Sequence, residues 1–471
     1  MTPRKGIHFI GIGGVGMSGL ALIFLHKGYS ISGSDVFDNE RVAELKQLGA
    51  QIFTGHDSDN LPENTKRVVV STAIKQNNPE LLKARELGLP IIHRSDLLAE
   101  LFLDSENGIA VAGCHGKTTV SSMIATILKY AEKDPTCVIG GHVNALNSNA
   151  CAGSSNLFVA EADESDATFL KYFPQFGVIT NIDNDHMDHY ASIDAIVKAF
   201  EVFASHVNPR GALFYCADDP ITRNLALPET TRNISYGINI PSDIMAENIN
   251  HHPYGSTFTL SIGGRKKAEF QMAVPGRHNI LNALPAIGFC LEVGLSVEQI
   301  QRGLLKFTGA GRRFEIKGEF EGITVIDDYG HHPNEIKATL EAAQSLNARR
   351  VVVVFQPHRY SRTQFLSREF GRCFDFCDKL FITDIYAASE KPIPGVTSKV
   401  ILDHMPVAHR RKVKMVKNVE DVKLHLLDYI EPGDVVFTMG AGNVTKLGPE
   451  ILHSMKSRSV DFGDIPLKAA I

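Results

Sequence analysis

The chain has no tryptophan, no long apolar run and no basic surplus, and each of these shortages bears on what it can be. A membrane-crossing helix needs about 18 or more consecutive apolar residues, so no membrane insertion is expected. A formal net charge of −5 argues against a nucleic-acid binder, which shows a basic surplus or stripe. The seven cysteines are scattered and odd in number, which reads as a reducing compartment rather than a disulfide framework. Cys373 and Cys377 are spaced as on one helix face, with no second Cys or His pair nearby, and read as structural. The opening residues, MTPRKG, run directly into a strand with no apolar signal region, so a cytoplasmic location is expected. What remains is an ordinary globular composition, 44% hydrophobic and 21% charged, over 471 residues. That length predicts about three domains.

The stretch with the most chemistry is GCHGKTT, residues 113–119. An apolar β-leaning run, 108–112, precedes it. After it, Val120, Met123, Ile124, Ile127, Leu128 and Ala131 recur at helical spacing. Strand, glycine turn, Gly-Lys-Thr and helix start form the setting of a phosphate-binding loop. Backbone N–H groups at a helix N-terminus attract anions, and glycine lets the chain wrap a phosphate closely. Lys117 is expected to reach the outer phosphates and Thr118 to hold Mg²⁺, with Gly113, Cys114, His115, Gly116 and Thr119 completing the loop. One position departs from the pattern, because Val111 stands where a further glycine is usual.

A second glycine loop lies at the start. The strand 7–10 leads into GIGGVGMSGLA, in which Gly11, Gly13 and Gly16 fit the dinucleotide-binding spacing. Met17, Leu20, Ala21 and Phe24 mark a helix face closed by Gly28, and a second strand, 30–34, delivers Asp35 where this fold places an acid against a ribose. The motif alone suggests NAD first, but it shows only that a nucleotide diphosphate fits this helix end. A polar break at 104–107 marks a domain boundary.

Two strands farther on end in acidic runs, EADESD at 161–166 and NIDNDHMDHY at 181–190. Carboxylates at the same sheet edge as a phosphate loop suit Mg²⁺, which takes oxygen ligands and bridges phosphates to protein. His186 and His189 leave zinc as the alternative, although no third soft ligand is evident. A β-rich patch covers 231–275. Asn279 and Asn282 lie three apart on a predicted helix, where their amides suit a purine edge or helix capping. Gly309-Ala310-Gly311 reads as a hinge. Beyond it, four predicted strands each end in a polar loop, giving one rim a binding edge: DDYGHHP, QPHRYSRT, DIYAASEKPIPG and GAGN. His358, Arg359 and Arg362 suit a carboxylate or phosphate, or form a solvated basic loop. From about Ser457 no periodicity is clear, and a loosely ordered tail is expected.

Taken together, GIGGVGMSGLA, GCHGKTT, EADESD, DHMDHY, GRHNILNA, GRRFE, DDYGHHP and FQPHRYSRT resemble the Mur ligases over essentially residues 6–450. The resemblance implies an α/β protein of three domains: a Rossmann-type domain at 1–105, a central phosphate-loop ATPase-like domain at 106–309, and a Rossmann-like C-terminal domain at 310–471. It implies UDP-sugar rather than NAD on the first loop, with Gly11, Gly13, Gly14, Val15, Gly16, Asp35 and Ser71 as contacts. ATP and Mg²⁺ are the implied cofactors. Lys117, Arg313 and His331 are implied in catalysis, and Asn279, Asn282, Arg313 and Asp328 in holding ATP. Thr118, Glu161 and His186 are the implied metal ligands, while His358, Arg359 and Arg362 face the amino acid and sugar. The implied partners are UDP-N-acetylmuramate and L-alanine, in a monomer or weak dimer that binds no nucleic acid. Three alternatives stay open: a sister ligase attaching a recycled peptide to the same sugar, an NAD-dependent dehydrogenase, and a non-catalytic nucleotide sensor.

Overall fold

The structure is a computed structural model that describes residues 5–184, 190 and 192–463, the segment 458–463 by its backbone alone. The chain forms two compact units. One comprises Met1–Ile249, Thr257–Met272 and Ile280–Ala310, and the other Asn250–Ser256, Ala273–Asn279 and Gly311–Ile471.

The first unit holds a five-stranded sheet and, except for residues 250–256, a ten-stranded one. A five-stranded sheet runs in the order Gln51–Thr54, Ser30–Asp35, Gly6–Ile10, Thr65–Val70, Ile91–His93, and all its pairings are parallel. Its strand order reverses beside Gly6–Ile10, the strand that feeds the first glycine loop. Open α/β sheets bind ligands at such a reversal, outside the carboxyl ends of the strands. The strand GIHFI is buried along its whole length, as expected for a parallel strand covered on both faces.

The second sheet has ten strands. Its parallel centre places Phe176–Ile179 and Leu157–Glu161 on either side of Asn107–Ala112. The GCHGKTT loop and both acidic runs therefore leave neighbouring strands at one edge. Strands Thr136–Val143 and Ser148–Cys151 close one side as an antiparallel pair, and the β-rich patch supplies Arg232–Gly237, Ile244–His252, Gly255–Ile262 and Arg265–Met272 at the other.

The helix Val15–His26 buries more than its predicted face: Ser18, Gly19, Leu22 and Ile23 are buried along with Met17, Leu20, Ala21 and Phe24. It serves two sheets. One side covers the five-stranded sheet, and the other packs on the pair Thr136–Val143 and Ser148–Cys151. A Cβ on Gly19 would stand 3.0 Å from the Ala150 Cβ, so a glycine there lets the two close up.

In the second unit a six-stranded sheet runs Glu315–Phe320, Ile323–Asp328, Asp434–Met439, Arg350–Phe355, Lys379–Ile382, Val413–Met415. Only its first pairing is antiparallel. Val352, Val353, Val354 and Phe355 are fully buried, as the apolar run predicts for a central strand. The helix Ser367–Phe370 ends before Cys373, which lies in a turn, and Cys377, which lies just past that turn; both are buried in the core, in keeping with a structural role, with their thiols donating to Phe370 O and Phe374 O at 3.4 and 3.2 Å. Past Ser457, the expected tail, the helix Leu447–Gly463 runs on to Gly463, and residues 464–471 lie outside the described residues.

Candidate active site

The central loop is shaped by two glycines and clamped from the neighbouring strand. Gly113 has φ +133°, and a Cβ there would fall 1.9 Å from Thr180 Oγ1, which no other residue could accommodate. Gly116 (φ +85°) begins the helix Lys117–Tyr130, and a Cβ on it would lie 2.6 Å from Asn282 Oδ1. The clamp is made by Thr180 and Asn181, just past the strand Phe176–Ile179. Asn181 Oδ1 accepts from His115 N at 2.9 Å, and Asn181 Nδ2 and Thr180 Oγ1 donate to His115 O at 2.9 and 2.6 Å. Cys114 joins it through sulfur, accepting from Asp183 N at 3.2 Å, while its backbone N–H donates to Asn181 O at 3.1 Å. His115 Nε2 lies 2.9 Å from Asp183 Oδ2. Val111 needs no glycine's freedom, because it sits fully buried inside the strand Asn107–Ala112 and the turn begins only at Gly113.

Lys117 is held at this loop by carboxylates. Its Nζ lies 2.7 Å from Glu164 Oε2 and donates to Gly113 O at 2.5 Å. Burial alone would lower its pKa, but Glu164 and Asp163 outweigh burial and raise it, so the ammonium stays charged. Glu161 accepts from Gly140 N at 2.6 Å and from Ser121 Oγ at 3.4 Å. Burial, partly countered by Gly140, Lys117 and the Thr118 hydroxyl, raises its pKa. A half-buried carboxylate beside a hydroxyl is an oxygen donor set that fits Mg²⁺. The Thr118 hydroxyl and Glu161 stand together, and His186 lies outside the described residues.

The first loop uses backbone and acid. Gly11 N and Ile12 N donate to Ser34 O at 2.8 and 2.9 Å, and Gly13 N donates to Asp35 Oδ2 at 2.8 Å. Asp35 is thus engaged by the loop itself, and its second oxygen accepts from Phe37 N at 3.2 Å. The first intrahelical bond is Ser18 N to Gly14 O, so Val15, Gly16 and Met17 present N–H groups that no helical carbonyl reaches. Ser71 follows the strand Thr65–Val70 on the same sheet edge, and its carbonyl accepts from Ile74 N at 3.1 Å. A cleft of about 480 Å³ opens beside this helix end, lined by Val15, Asn39, Arg41, His142 and Asn149 among others.

Arg94 was not singled out from sequence. Its Nη2 lies 3.5 Å from Asp163 Oδ2, and a Cβ on Gly16 would be 3.2 Å from its Nη1, so one guanidinium stands against both the first loop and the acidic run. It opens the helix Arg94–Leu103, an end that the helix dipole makes unfavourable for a cation, and that misplacement was the available signal. Glu164 was equally hidden, one acid among four in EADESD.

In the second unit Arg313, His331, His358, Arg359 and Arg362 gather on the rim of the six-stranded sheet. Arg313 Nη1 donates to Glu335 Oε1 at 3.0 Å and its guanidinium lies 5.1 Å from the Tyr329 ring centre. The rings of His331 and His358 are 5.8 Å apart, and His358 stacks on Tyr386. Burial first, then Arg362 and Arg359, depress the His358 pKa to about 4. Asp328 accepts from Phe314 N and Gly330 N, both at 2.8 Å, and burial still pushes its carboxyl up to about 6. Asn279 donates to Pro275 O at 2.7 Å.

Three family descriptions match in sequence order: Mur ligase family, catalytic domain, at residues 6–124; Mur ligase middle domain at 111–290; and Mur ligase, glutamate ligase domain, at 312–442. The chain belongs to the Mur ligase family. Among its relatives, a UDP-N-acetylmuramate–L-alanine ligase of Nitratidesulfovibrio vulgaris is 47% identical, with 94% of this chain and 97% of the relative covered. One from Geotalea daltonii is 44% identical, with 96% and 98% covered. The crystal structure of a UDP-N-acetylmuramate-alanine ligase from Thermotoga maritima superposes with a TM-score of 0.80 at 29% identity, covering 96% and 99% of the two chains. A murein peptide ligase from Psychrobacter arcticus gives 0.69 at 26%, covering 99% and 100%.

Proposed function

We infer that this chain is an ATP-dependent ligase that joins L-alanine to the lactyl carboxylate of UDP-N-acetylmuramate, in peptidoglycan precursor synthesis. Near-full-length similarity to ligases of that name supports the substrates. The observation that carries the chemistry is the juxtaposition of Lys117 with Glu164 and of Thr118 with Glu161 around the glycine loop.

A lactyl carboxylate oxygen attacks the γ-phosphorus of ATP, the bond to ADP breaks, and an acyl phosphate forms. The amine of L-alanine then attacks the acyl carbon, phosphate leaves, and the amine loses a proton as the amide forms. The first step brings an anion against an anion, so aimed positive charge is the main requirement. Lys117 meets it by exchanging Glu164 for the transferring phosphoryl group. Thr118 and Glu161, with His186, would hold Mg²⁺, which neutralises phosphate charge when bound. Arg313 supplies further positive charge, with Asn279, Asn282 and Asp328 as additional ATP contacts and His331 in the catalytic set. His358, Arg359 and Arg362 bind the carboxylates of the amino acid and sugar.

The three segments 1–105, 106–309 and 310–471 would then handle UDP-sugar, ATP and amino acid in turn. Among the described residues no helix is long and apolar enough to cross a membrane. We place the enzyme in the cytoplasm, as a monomer or weak dimer. Phosphate release from ATP tests the reading: it should require UDP-N-acetylmuramate and L-alanine together, and a requirement for a peptide in place of alanine would move the chain to the recycling branch.

A further inference from the structure

Beneath the first glycine loop lies a buried carboxylate that the chemistry above does not use. Glu80, in the first turn of the helix Pro79–Glu86, is fully buried. Its Oε2 accepts from Ser34 Oγ at 2.7 Å and lies 2.8 Å from His8 Nε2. Its Oε1 accepts from Asn60 Nδ2 at 3.0 Å and Asp57 N at 3.2 Å, and lies 3.3 Å from His56 Nδ1. His8 and Ser34 are themselves fully buried, and the other ring nitrogen of His8 is 2.9 Å from Ser32 Oγ. Burial would raise the Glu80 pKa, but the bonds from His8, Ser34 and Asn60 outweigh it and lower it, so the group is held as an anion.

A buried charge is costly unless it is fully paired, and one partner here is the residue that anchors the loop. Ser34 holds Glu80 through its side chain and the N–H groups of Gly11 and Ile12 through its carbonyl, while the next residue, Asp35, takes Gly13 N. We propose that Glu80 is the positioning residue of the UDP-sugar loop: through Ser34 it fixes the Gly11–Gly13 backbone, and with it the direction in which Val15 and Gly16 present their N–H groups to the diphosphate. Glu80 does not touch the ligand. This inference rests on the reading of that loop as the UDP-sugar site.

The test is Glu80→Gln, which keeps shape and removes charge, beside Ser34→Ala, which removes only the hydroxyl. Two readouts are needed, steady-state kinetics and amide hydrogen exchange of the free protein. Glu80→Gln should raise KM for UDP-N-acetylmuramate by about tenfold to a hundredfold, the range for losing a hydrogen bond to a charged group, with kcat and KM for ATP changed less than about twofold. Exchange at Gly11–Gly13 should quicken while the 113–119 loop keeps its protection. Ser34→Ala should move both readouts the same way by less. Unchanged KM and exchange in both variants would overturn the proposal, as would equal losses of sugar and ATP binding, which mark a general structural role. If the unmodified enzyme shows no turnover with the UDP-sugar, the functional reading fails, and the exchange arm still decides whether Glu80 sets the loop.

Discussion

Two glycine loops leave parallel strands of this chain, and they prepare for phosphate in different ways. The loop at 11–16 carries no cation of its own, and its backbone is pinned by the Ser34 carbonyl and the Asp35 carboxylate. The loop at 113–119 brings Lys117 and Thr118, with Glu164 and Glu161 arranged against them. A diphosphate that stays intact needs a rigid rest, which backbone N–H groups provide. A phosphoryl group that is transferred needs charge placed where charge develops. The difference suits the first loop to holding and the second to reacting.

The sharpest way to break that contrast is Lys117→Ala. It should lower turnover by at least about a hundredfold, the scale for losing one preorganised stabiliser, and near-normal turnover would refute the assignment. Next in size is Glu161→Gln, which should raise the Mg²⁺ concentration for half-maximal turnover by about tenfold or more. A titration with unchanged midpoint would remove Glu161 from the metal site. Arg94→Ala acts on the holding side: KM for the UDP-sugar should rise about tenfold with kcat little changed, as for loss of a charge-assisted contact. A fall in kcat alone would assign Arg94 to the reacting loop. Smallest of these should be Cys114→Thr, with turnover within about threefold, because the loop works through its backbone and the sulfur meets the backbone of Asp183.

The rim of the six-stranded sheet offers a pH control away from both loops. An unfolded histidine takes up its proton near 6.5, whereas folded His358 resists until about 4. Between those values the unfolded chain binds more protons, so this contribution is whole above 6.5 and is lost as pH falls towards 4. Asp328 has the opposite sign. Its folded value of about 6 lies above the ordinary 3.8, so its contribution is present below 3.8 and lost as pH rises through 6. His358→Gln should therefore flatten the fall in melting temperature between pH 6.5 and 4, and an unchanged slope would exclude His358 as its source.

Local pattern made much of this legible. The strand–glycine–helix sequence at 108–131 and the apolar run at 350–355 state their roles within a few residues, because period and turn chemistry are local. What stayed hidden depends on distant neighbours. Nothing near Val15–His26 announces that a second sheet covers its other side, and only the position of Ala150 explains Gly19. Glu80 is closed over by three separated segments, at His8, Ser34 and the stretch His56 to Asn60, which no local pattern announces. Cys373 and Cys377 have helical spacing but lie outside any helix, Cys373 in a turn and Cys377 just past it, because spacing alone does not make a helix.

The central claim is that the two loops serve one coupled reaction, and phosphate release from ATP tests it most directly. The account predicts release only when UDP-N-acetylmuramate and L-alanine are both present, abolished in Lys117→Ala and restored in Glu80→Gln by raising the sugar concentration. Release from ATP that ignores the sugar, or a Glu80→Gln defect that no sugar concentration relieves, would contradict it.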